Sequence, residues 1–413
     1  MKPHPGPSGV PHPGMGFRQF VALTAAMMAT NALAVDAMLP ALPAMGDTLG
    51  IQNPNDRQWI VTIYLLGFGA AQLIYGTLAD RYGRKPVLMT GFVIYVLGSL
   101  LAVFTSSFEV ILLARVIQGI GAAATRVLAV SIVRDCYSGR TMARVMSLAF
   151  IVFLGVPIIA PSLGQAIMWF TPWQGIFGLL AAFGMAVALW SAIRLPETLH
   201  PEDRKPISFA AVTGSFRIIL GNRIAMGYIL AMTFVLGGLF GFINSAQQVF
   251  AEAFHAAHLF TTVFALVAVF IALASLLNSR IVGAVGTRRV SHAALLAYIG
   301  FTSLHAAVAL AGHESLWTFA ALQSCTMFAF GLIGPNFGAM AMEPLGHVAG
   351  TASSVQGFIT TIGGALIGFF IGQRFNGTVA PLTLGFSGCG VLALVCVLYA
   401  EKGRLFRPSM GRS

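Results

Sequence analysis

The stretch GTLADRYGRKP, residues 76–86, separates two long apolar runs and holds four charged side chains in a sequence that has few of them. Gly76 allows a neighbouring helix to approach closely, and Gly83 permits a tight turn. Asp80 is able to cap the N-terminus of a neighbouring helix or to pair with an arginine. The stretch therefore predicts a tight turn between two helices.

The composition around this turn is that of a membrane protein. Of 413 residues, 57% are hydrophobic and 9% are charged, whereas about a quarter of the residues in a soluble domain are charged. Burying so much apolar surface requires lipid as the solvent, which excludes a soluble enzyme. The sequence has no phosphate-binding loop and no zinc-protease motif, and its four cysteines lack metal-like spacing. We therefore expect no catalytic site, no metal and no cofactor.

Apolar runs long enough to cross a bilayer recur along the whole chain, with six before a polar gap and six after it. The expected spans are 17–45, 57–77, 86–106, 109–134, 143–169, 173–193, 223–252, 258–283, 290–311, 315–341, 347–373 and 379–400. The sequence thus predicts an all-α membrane protein with two six-helix bundles, 17–193 and 223–400, joined by a central cytoplasmic loop at 194–222. Residues 1–16, rich in Pro and Gly, are expected to be a disordered cytoplasmic tail, and residues 401–413 a second cytoplasmic tail.

The distribution of Lys and Arg sets the expected orientation. With the N-terminus in the cytoplasm, most of the 24 basic residues fall on cytoplasmic segments or at their edges, as the positive-inside rule requires. An even number of spans then puts both termini in the cytoplasm. Because topology explains the formal charge of +11, nucleic acid is not an expected partner.

A weak internal repeat supports two related halves. Gly83 follows the second span and Gly286 follows the eighth, 203 residues later, and basic residues come after both glycines. Two six-helix bundles joined by a central loop are the architecture of a rocking transporter, whose substrate site lies at the midplane between the halves.

Taken as a whole, residues 76–86 resemble the signature loop of the major facilitator superfamily. The resemblance implies the major facilitator fold, and it implies that this loop locks the cytoplasmic side in the outward-open state. Arg84 and Lys85 alone would indicate only a positively charged cytoplasmic loop. The residues that the resemblance assigns to gating are Gly76, Asp80, Arg81, Gly83, Arg84 and Lys85.

Two further stretches resemble motifs of proton-coupled members of that family. Residues 112–123, LLARVIQGIGAA, resemble the fourth-span motif, whose arginine, here Arg115, is associated with proton transfer. Residues 155–164, GVPIIAPSLG, resemble the fifth-span motif of antiporters, although Ala160 and Gln165 depart from its pattern. The residues that match the antiporter motif are Gly155, Pro157, Pro161 and Gly164.

The first span contains an acidic residue. Together with the two motifs, its sequence DAMLPALP at 36–43 looks most like the drug-efflux branch that includes bicyclomycin and chloramphenicol exporters. A charge inside the bilayer costs at least about 2.5–3.5 kcal/mol and is usually functional. An apolar cavity favours the neutral acid, so Asp36 is the expected proton carrier, and Pro40 and Pro43 weaken the helix beside it. Alternatively, Asp36 lies near the periplasmic end and is simply solvated.

Two arginines share the fourth span. Arg115 and Arg126 are eleven residues apart, and they therefore lie on nearly the same helix face, about 16 Å apart along the axis. Arg115 is expected to modulate proton binding at Asp36 or to hold substrate. Arg126 either lines the cytoplasmic half of the cavity or extends toward the membrane surface.

Further polar and aromatic residues near the midplane are candidates for a substrate cavity. For the uncharged polar residues in the C-terminal half, hydrogen bonding between helices is the simpler explanation. The candidates are Asn31, Tyr64, Gln118, Arg126, Phe153, Phe240, Asn244, Gln247 and Asn336.

These observations predict a drug:proton antiporter of a bacterial inner membrane, which exports small apolar or amphipathic molecules by alternating access. It is expected to act as a monomer, with the proton gradient as its energy source. An exporter of an endogenous metabolite, such as a sugar, an amino acid or a biosynthetic product, is the alternative. A non-transporting membrane scaffold or sensor is a third hypothesis.

Overall fold

The computed structural model describes residues 15–204 and 209–406, and every regular element within those ranges is helical. Twelve stretches are long and apolar enough to cross a membrane, six before and six after the central segment, which confirms the predicted all-α membrane fold. Of the two predicted tails, 1–16 and 401–413, residues 1–14 and 407–413 lie outside the described residues. The α-helices are α1 (Phe17–Asp36), α2 (Leu42–Thr48), α3 (Trp59–Tyr82), α4 (Arg84–Phe104), α5 (Phe108–Cys136), α6 (Gly139–Met168), α7 (Gln174–Arg194), α8 (Phe209–Gly221), α9 (Arg223–Gln248), α10 (Phe260–Val285), α11 (Thr287–Leu310), α12 (Leu316–Met342), α13 (Ala349–Gln373) and α14 (Ala380–Ala400).

The first span is broken in the middle. α1 ends at Asp36, a 3₁₀ turn covers Leu39–Ala41, and α2 completes the span. Pro40 has no N–H to donate to the carbonyl of Asp36 four residues earlier, and Pro43 likewise cannot continue the helical hydrogen bonds. The weakening expected at the two prolines is therefore a change from α-helix to a turn and a 3₁₀ turn after the acidic residue, within one span whose backbone stays right-handed helical.

The central segment at 194–222, predicted as a loop, contains a helix. α8 packs against α9 and α13, and its Phe216 meets Phe358 of α13 edge to face, with ring centroids 6.1 Å apart. The polar, proline-rich residues end before α8 begins, and α8 itself is mostly apolar. Packing against the C-terminal half thus stabilises a short helix. The segment was predicted as a loop because its first residues are polar and rich in proline.

The start of α1 and the end of α14 mark one face of the membrane domain. Because the number of spans is even, Phe17 and Ala400 lie at the same face, here called the terminal face, and the opposite one is the distal face. In the N-terminal half α3 and α4 pack on α5, and in the C-terminal half α13 and α14 pack on α9. The halves meet mainly where α3 packs against α13 and where α6 packs against α10.

The internal repeat appears as two matching turns at the terminal face. Gly83 joins α3 to α4 with a φ of 103°, and Gly286 joins α10 to α11 with a φ of 94°. Residues with a side chain rarely adopt such values, which explains why glycine occupies both turns.

Candidate functional site

The turn at 76–86 is built around a buried arginine. Arg84 is 4% exposed, and its Nη1 lies 2.6 Å from Asp80 Oδ1 while its Nε lies 2.9 Å from Asp135 Oδ2 at the end of α5. Arg84 therefore ties α3, α4 and α5 together and is not an ordinary loop cation. Arg81, by contrast, is exposed.

A carboxylate that follows the sixth span caps the helix beginning at this turn. Glu197 accepts hydrogen bonds from the backbone N–H groups of Arg84, at 2.8 Å, and Lys85, at 3.2 Å. A negative charge at this end also interacts favourably with the helix dipole. The Lys85 Nζ donates to the carbonyl of Ala192 at 2.7 Å. Of the two roles foreseen for Asp80, the structure gives it the pairing with an arginine, whereas Glu197 caps the helix.

The two glycines of the turn have close neighbours. A Cβ added at Gly76 would lie 3.2 Å from Ser354 Oγ of α13, in the other half of the protein. A Cβ added at Gly83 would collide with the Glu197 carboxylate. Gly76 thus lies at the contact between the halves, and Gly83 leaves room for the cap.

The C-terminal half has a corresponding cluster around Arg288, at the start of α11. Its Nε lies 2.8 Å from Glu401 Oε1, its Nη2 lies 3.3 Å from Glu343 Oε2, and the Tyr228 hydroxyl donates to Glu401 at 2.7 Å. Burial raises the pKa of Glu401, but the hydrogen bonds from Arg288 and Tyr228 outweigh it and hold that pKa below its usual value. Both halves therefore carry a partly buried charge cluster at the terminal face.

Arg115 is fully buried and has no carboxylate partner among the described residues. Its Nε donates to the Ile60 carbonyl at 3.0 Å, and its Nη1 donates to Gln118 Oε1 at 2.5 Å. The guanidinium carbon lies 4.2 Å from the ring centroid of Tyr64 and 5.8 Å from that of Phe177. Its Nη2 has no hydrogen-bond partner within the described ranges. Neutral acceptors and aromatic faces thus stabilise the charge, and one donor group remains unused.

Tyr64 and Gln118 link Arg115 to neighbouring helices. The Tyr64 hydroxyl donates to Asn31 Oδ1 on α1 at 2.9 Å, and Gln118 Nε2 donates to Ser99 Oγ on α4 at 2.7 Å. Tyr64 and Gln118 are fully buried, whereas Asn31 is partly exposed. In this structure Tyr64 and Gln118 support Arg115 and do not face open space.

Asp36 lies at the break in the first span and is 5% exposed. Across the described part of the chain, no side chain forms an ion pair or hydrogen bond with its carboxylate. The length of α1 puts Asp36 about 30 Å from the terminal face, and Arg115 lies at about the same depth along α5. The two charged residues therefore share one level of the N-terminal half without touching.

The fifth-span motif contributes one close contact to this break. A Cβ added at Gly164 would lie 2.8 Å from the carbonyl carbon of Ala37, the residue after Asp36, and closer still to its oxygen. A Cβ added at Gly155 would meet no atom within 4 Å. The helix α6 continues through both Pro157 and Pro161. Gly164 thus packs directly against the turn that follows Asp36 in the first span.

Arg126 lies beside an aromatic ring of α6. Its guanidinium carbon is 5.6 Å from the ring centroid of Phe153, and both side chains are partly exposed. No carboxylate within the described residues forms an ion pair with Arg126.

Uncharged amides join the two halves near the distal face, and sequence reasoning missed most of them. Gln58 Nε2 donates to Gln248 Oε1 at 2.7 Å, and Gln248 Nε2 donates to Asn55 Oδ1 at 2.8 Å. Gln373 Nε2 donates to the Asn55 carbonyl at 2.7 Å, and backbone carbonyls within 372–375 accept from Asn55 and Gln58. We call Asn55, Gln58, Gln248 and Gln373 the distal seal. The sequence gives no sign of this pairing, because the amides that bond to each other lie 190 residues or more apart along the chain.

Gln58→Leu is expected to open the distal face. The substitution keeps the volume but removes two donated hydrogen bonds that cross the halves, each worth about 0.5–1.5 kcal/mol, so the open fraction should rise about tenfold. The rate at which an impermeant maleimide labels a cysteine introduced at buried Ser245 reports this opening. Gln52→Leu is the matched control, because exposed Gln52 bonds only the nearby Gly50 carbonyl. Equal labelling rates in both variants would contradict the assignment.

The polar candidates of the C-terminal half pair between helices. Asn244 Nδ2 donates to Thr62 Oγ1 at 3.3 Å across the two halves, and Asn336 Nδ2 donates to Asn278 Oδ1 at 2.7 Å between α12 and α10. Gln247 differs, because its buried Oε1 has no partner within the described residues.

The aromatic candidate of α9 also packs between helices. A Cβ added at Gly364 or Gly368 of α13 would meet the Phe240 side chain at 3.2 and 2.6 Å. Phe240 therefore fills the contact between α9 and α13 inside the C-terminal half.

Known proteins are similar to this chain in architecture and in sequence. A family model described as Major Facilitator Superfamily matches residues 24–368. The chain is 28% identical to the bicyclomycin resistance protein homolog of Haemophilus influenzae, with 90% of this chain and 93% of that one covered. It is 29% identical to the multidrug resistance protein MdtL of Klebsiella pneumoniae over the same shares. A crystal structure of a D-xylose-proton symporter superposes with a TM-score of 0.71 at 14% identity, covering 94% of this chain and 99% of that chain. The chain therefore belongs to the Major Facilitator Superfamily, as a multi-pass transporter of the bacterial inner membrane.

Proposed function

We propose that this transporter exports small amphipathic molecules in exchange for protons, with Asp36 as the proton site. The observation that carries the proposal is an acid that is 5% exposed, lacks a partner among the described residues and ends a broken helix. An unpaired carboxylate at that depth favours the neutral form, and a change in local hydration lets the proton leave.

Arg115 is proposed as the partner that makes the proton site responsive. It lies at the depth of Asp36, carries an unused donor group, and touches Tyr64, which hydrogen-bonds to the helix containing Asp36. A movement of α1 relative to α3 and α5 would alter the field that Arg115 exerts on the acid. Binding and release of the proton would then follow the conformation of the N-terminal half.

The orientation of the proposed cycle follows from charge. Basic residues cluster at the terminal face, so we assign that face to the cytoplasm. The N-terminal bundle at 17–193 and the C-terminal bundle at 223–400 would rock about the substrate path, as a monomer. The distal seal would close the periplasmic side in one of the two alternating states, and the clusters around Arg84 and Arg288 would act at the cytoplasmic side.

The direction and substrate class are proposed from the relatives. Relatives called bicyclomycin resistance protein homolog and multidrug resistance protein match nine tenths of the chain. Both names refer to drug resistance, which a transporter would confer by exporting toxic compounds. The position of Gly164 against the first-span break supports antiport, because it connects the antiporter-like motif directly to the proposed proton site.

Proton release on addition of substrate tests the proposal. Candidate compounds come from a toxicity panel on an efflux-deficient host that overexpresses the protein. Purified protein in weakly buffered detergent solution should release protons when such a compound binds, because substrate and proton bind preferentially to different states of the transporter. A compound that binds tightly without proton release at any pH between 5 and 9 would reject the antiport mechanism.

Export of an endogenous metabolite is the second candidate. The unpartnered Oε1 of Gln247 supports it, because a hydrogen-bonding substrate could satisfy a buried amide. In that case the panel would show no resistance, while the overexpressing cells would enrich their medium in one metabolite.

A further inference from the structure

We propose that Arg126, with Phe153 and Phe150, binds the acidic group of an amphipathic aromatic anion, so that the preferred substrates are organic anions. The inference rests on the proposed transport function and adds a substrate class to it. It also decides between the two positions foreseen for Arg126, in favour of the interior.

Arg126 faces the interior of the N-terminal half. Eleven residues separate it from Arg115, so the two side chains leave α5 within about 20° of each other. Gly119 lies on the same side of α5, where an added Cβ would be 3.0 Å from the backbone nitrogen of Phe68 on α3. That side of α5 therefore faces protein and not lipid. Arg126 is partly exposed there, so a ligand inside the protein can reach its guanidinium.

The charge of Arg126 is uncompensated. All 13 Asp and Glu residues lie within the described ranges, and none of their carboxylates is within ion-pair distance of Arg126. Asp36, the one acid deep in a span, is at the level of Arg115, whereas Arg126 lies about 15 Å nearer the terminal face. The guanidinium thus creates a positive potential between apolar helix surfaces, which attracts anions and repels cations.

The groups around Arg126 define the shape of the ligand. A guanidinium offers paired donors that match a carboxylate, sulfonate or phosphate. Phe153 lies 5.6 Å from the guanidinium carbon and stacks on Phe150, with centroids 5.6 Å apart and an interplanar angle of 29°. Both rings are partly exposed, so an aromatic body can pack on them while its acidic group meets Arg126.

This arrangement keeps the anion and the proton at two separate sites. The difference in depth between Asp36 and Arg126 prevents a ligand acid on Arg126 from contacting the carboxylate of Asp36. The anion and the proton would therefore be coupled through the motion of the halves. Such coupling allows them to move in opposite directions even though a bound proton and a bound anion attract each other.

Two fluorescent probes that differ only in a sulfonate test the site. 8-Anilinonaphthalene-1-sulfonate and N-phenyl-1-naphthylamine share one aromatic skeleton, and their binding to protein in lipid nanodiscs is measured after subtraction of empty nanodiscs. Arg126→Gln should weaken the sulfonate probe at least about tenfold, the loss of one charge-assisted pair, and leave the neutral probe within about twofold. Arg126→Lys should retain most of the sulfonate affinity, because it keeps the charge.

Arg144→Gln is the matched control. Arg144 also lies over a phenylalanine, with its guanidinium carbon 5.2 Å from the Phe17 centroid, but it is exposed at the start of α6. Both probes should bind this variant as they bind the wild type. Equal weakening of the two probes by Arg126→Gln, or no weakening of the sulfonate, would overturn the proposal.

Competition on the wild-type protein keeps the test decisive if Arg126→Gln fails to fold. Unlabelled naphthalene-1-sulfonate should displace the sulfonate probe, and tetraphenylphosphonium should not; displacement by the cation overturns the proposal. Because equilibrium binding needs no proton gradient, a negative result here leaves proton exchange at Asp36 untouched. Conversely, if the wild-type protein binds the sulfonate probe but releases no protons when substrate binds, the result rejects the proposed function alone.

Discussion

Everted vesicles that carry Asp36→Asn should accumulate no more substrate than vesicles without the transporter when their lumen is acidified. The amide has the volume of the acid but cannot release a proton, so the gradient loses its point of entry. Substrate binding should remain within a few-fold of the wild type, since no described residue depends on the Asp36 carboxylate for a hydrogen bond. Fluorescence or radiolabel uptake measures the first effect, and equilibrium binding the second.

Asp47→Asn provides the control within the same span. Asp47 lies near the distal face, its side chain is 79% exposed, and its contact with Arg57 is a loose 3.8 Å. Screened, exposed pairs contribute little, so this variant should transport at the wild-type rate. Normal uptake by Asp36→Asn vesicles would remove the proton site from Asp36.

Gly164→Ala should destabilise the protein by about 1–3 kcal/mol through overpacking and abolish most transport. The added methyl group would collide with the backbone carbonyl of Ala37, and neither backbone can move aside as a flexible side chain would. Either α6 or the break after Asp36 must shift, which disturbs the proposed proton site. Thermal unfolding in detergent and vesicle uptake measure the two effects.

Gly155→Ala should instead stabilise the protein and raise its unfolding temperature. A Cβ at Gly155 meets nothing within 4 Å, so the substitution adds only helix propensity, worth about 0.5–1 kcal/mol relative to glycine. The two glycines belong to the same motif, and only their surroundings distinguish them. Equal unfolding temperatures for the two variants would mean that the contact with Ala37 is easily relieved.

The predictable part of the molecule was its membrane architecture. Apolar runs gave the twelve spans to within a few residues, since crossing a bilayer demands length and hydrophobicity at every span. Gly83 forms the predicted tight turn, with a positive φ that glycine adopts easily. Pro40 was expected to weaken the helix, and the α-helix gives way to a 3₁₀ turn at that point because proline has no N–H to donate.

Partners from distant parts of the chain escaped prediction. Glu197 caps α4 from 113 residues away, and Gln58 meets Gln248 from 190 residues away. A polar residue at the end of a span has many possible partners, and only the packing of helices selects one. The same limit applied to α8, whose packing against α13 could not be read from the sequence of the central segment.

The distal seal has a consequence for where this protein can work. With that face outward, the polar contacts of the distal seal are made by amides, which neither titrate nor weaken as ionic strength rises. In the proposed orientation, the ionised clusters around Arg84 and Arg288 would face the cytoplasm, whose acidity and salt content the cell regulates. A bacterium could thus move between acidic and saline habitats without the outer closure drifting, while internal conditions alone would tune the opposite side.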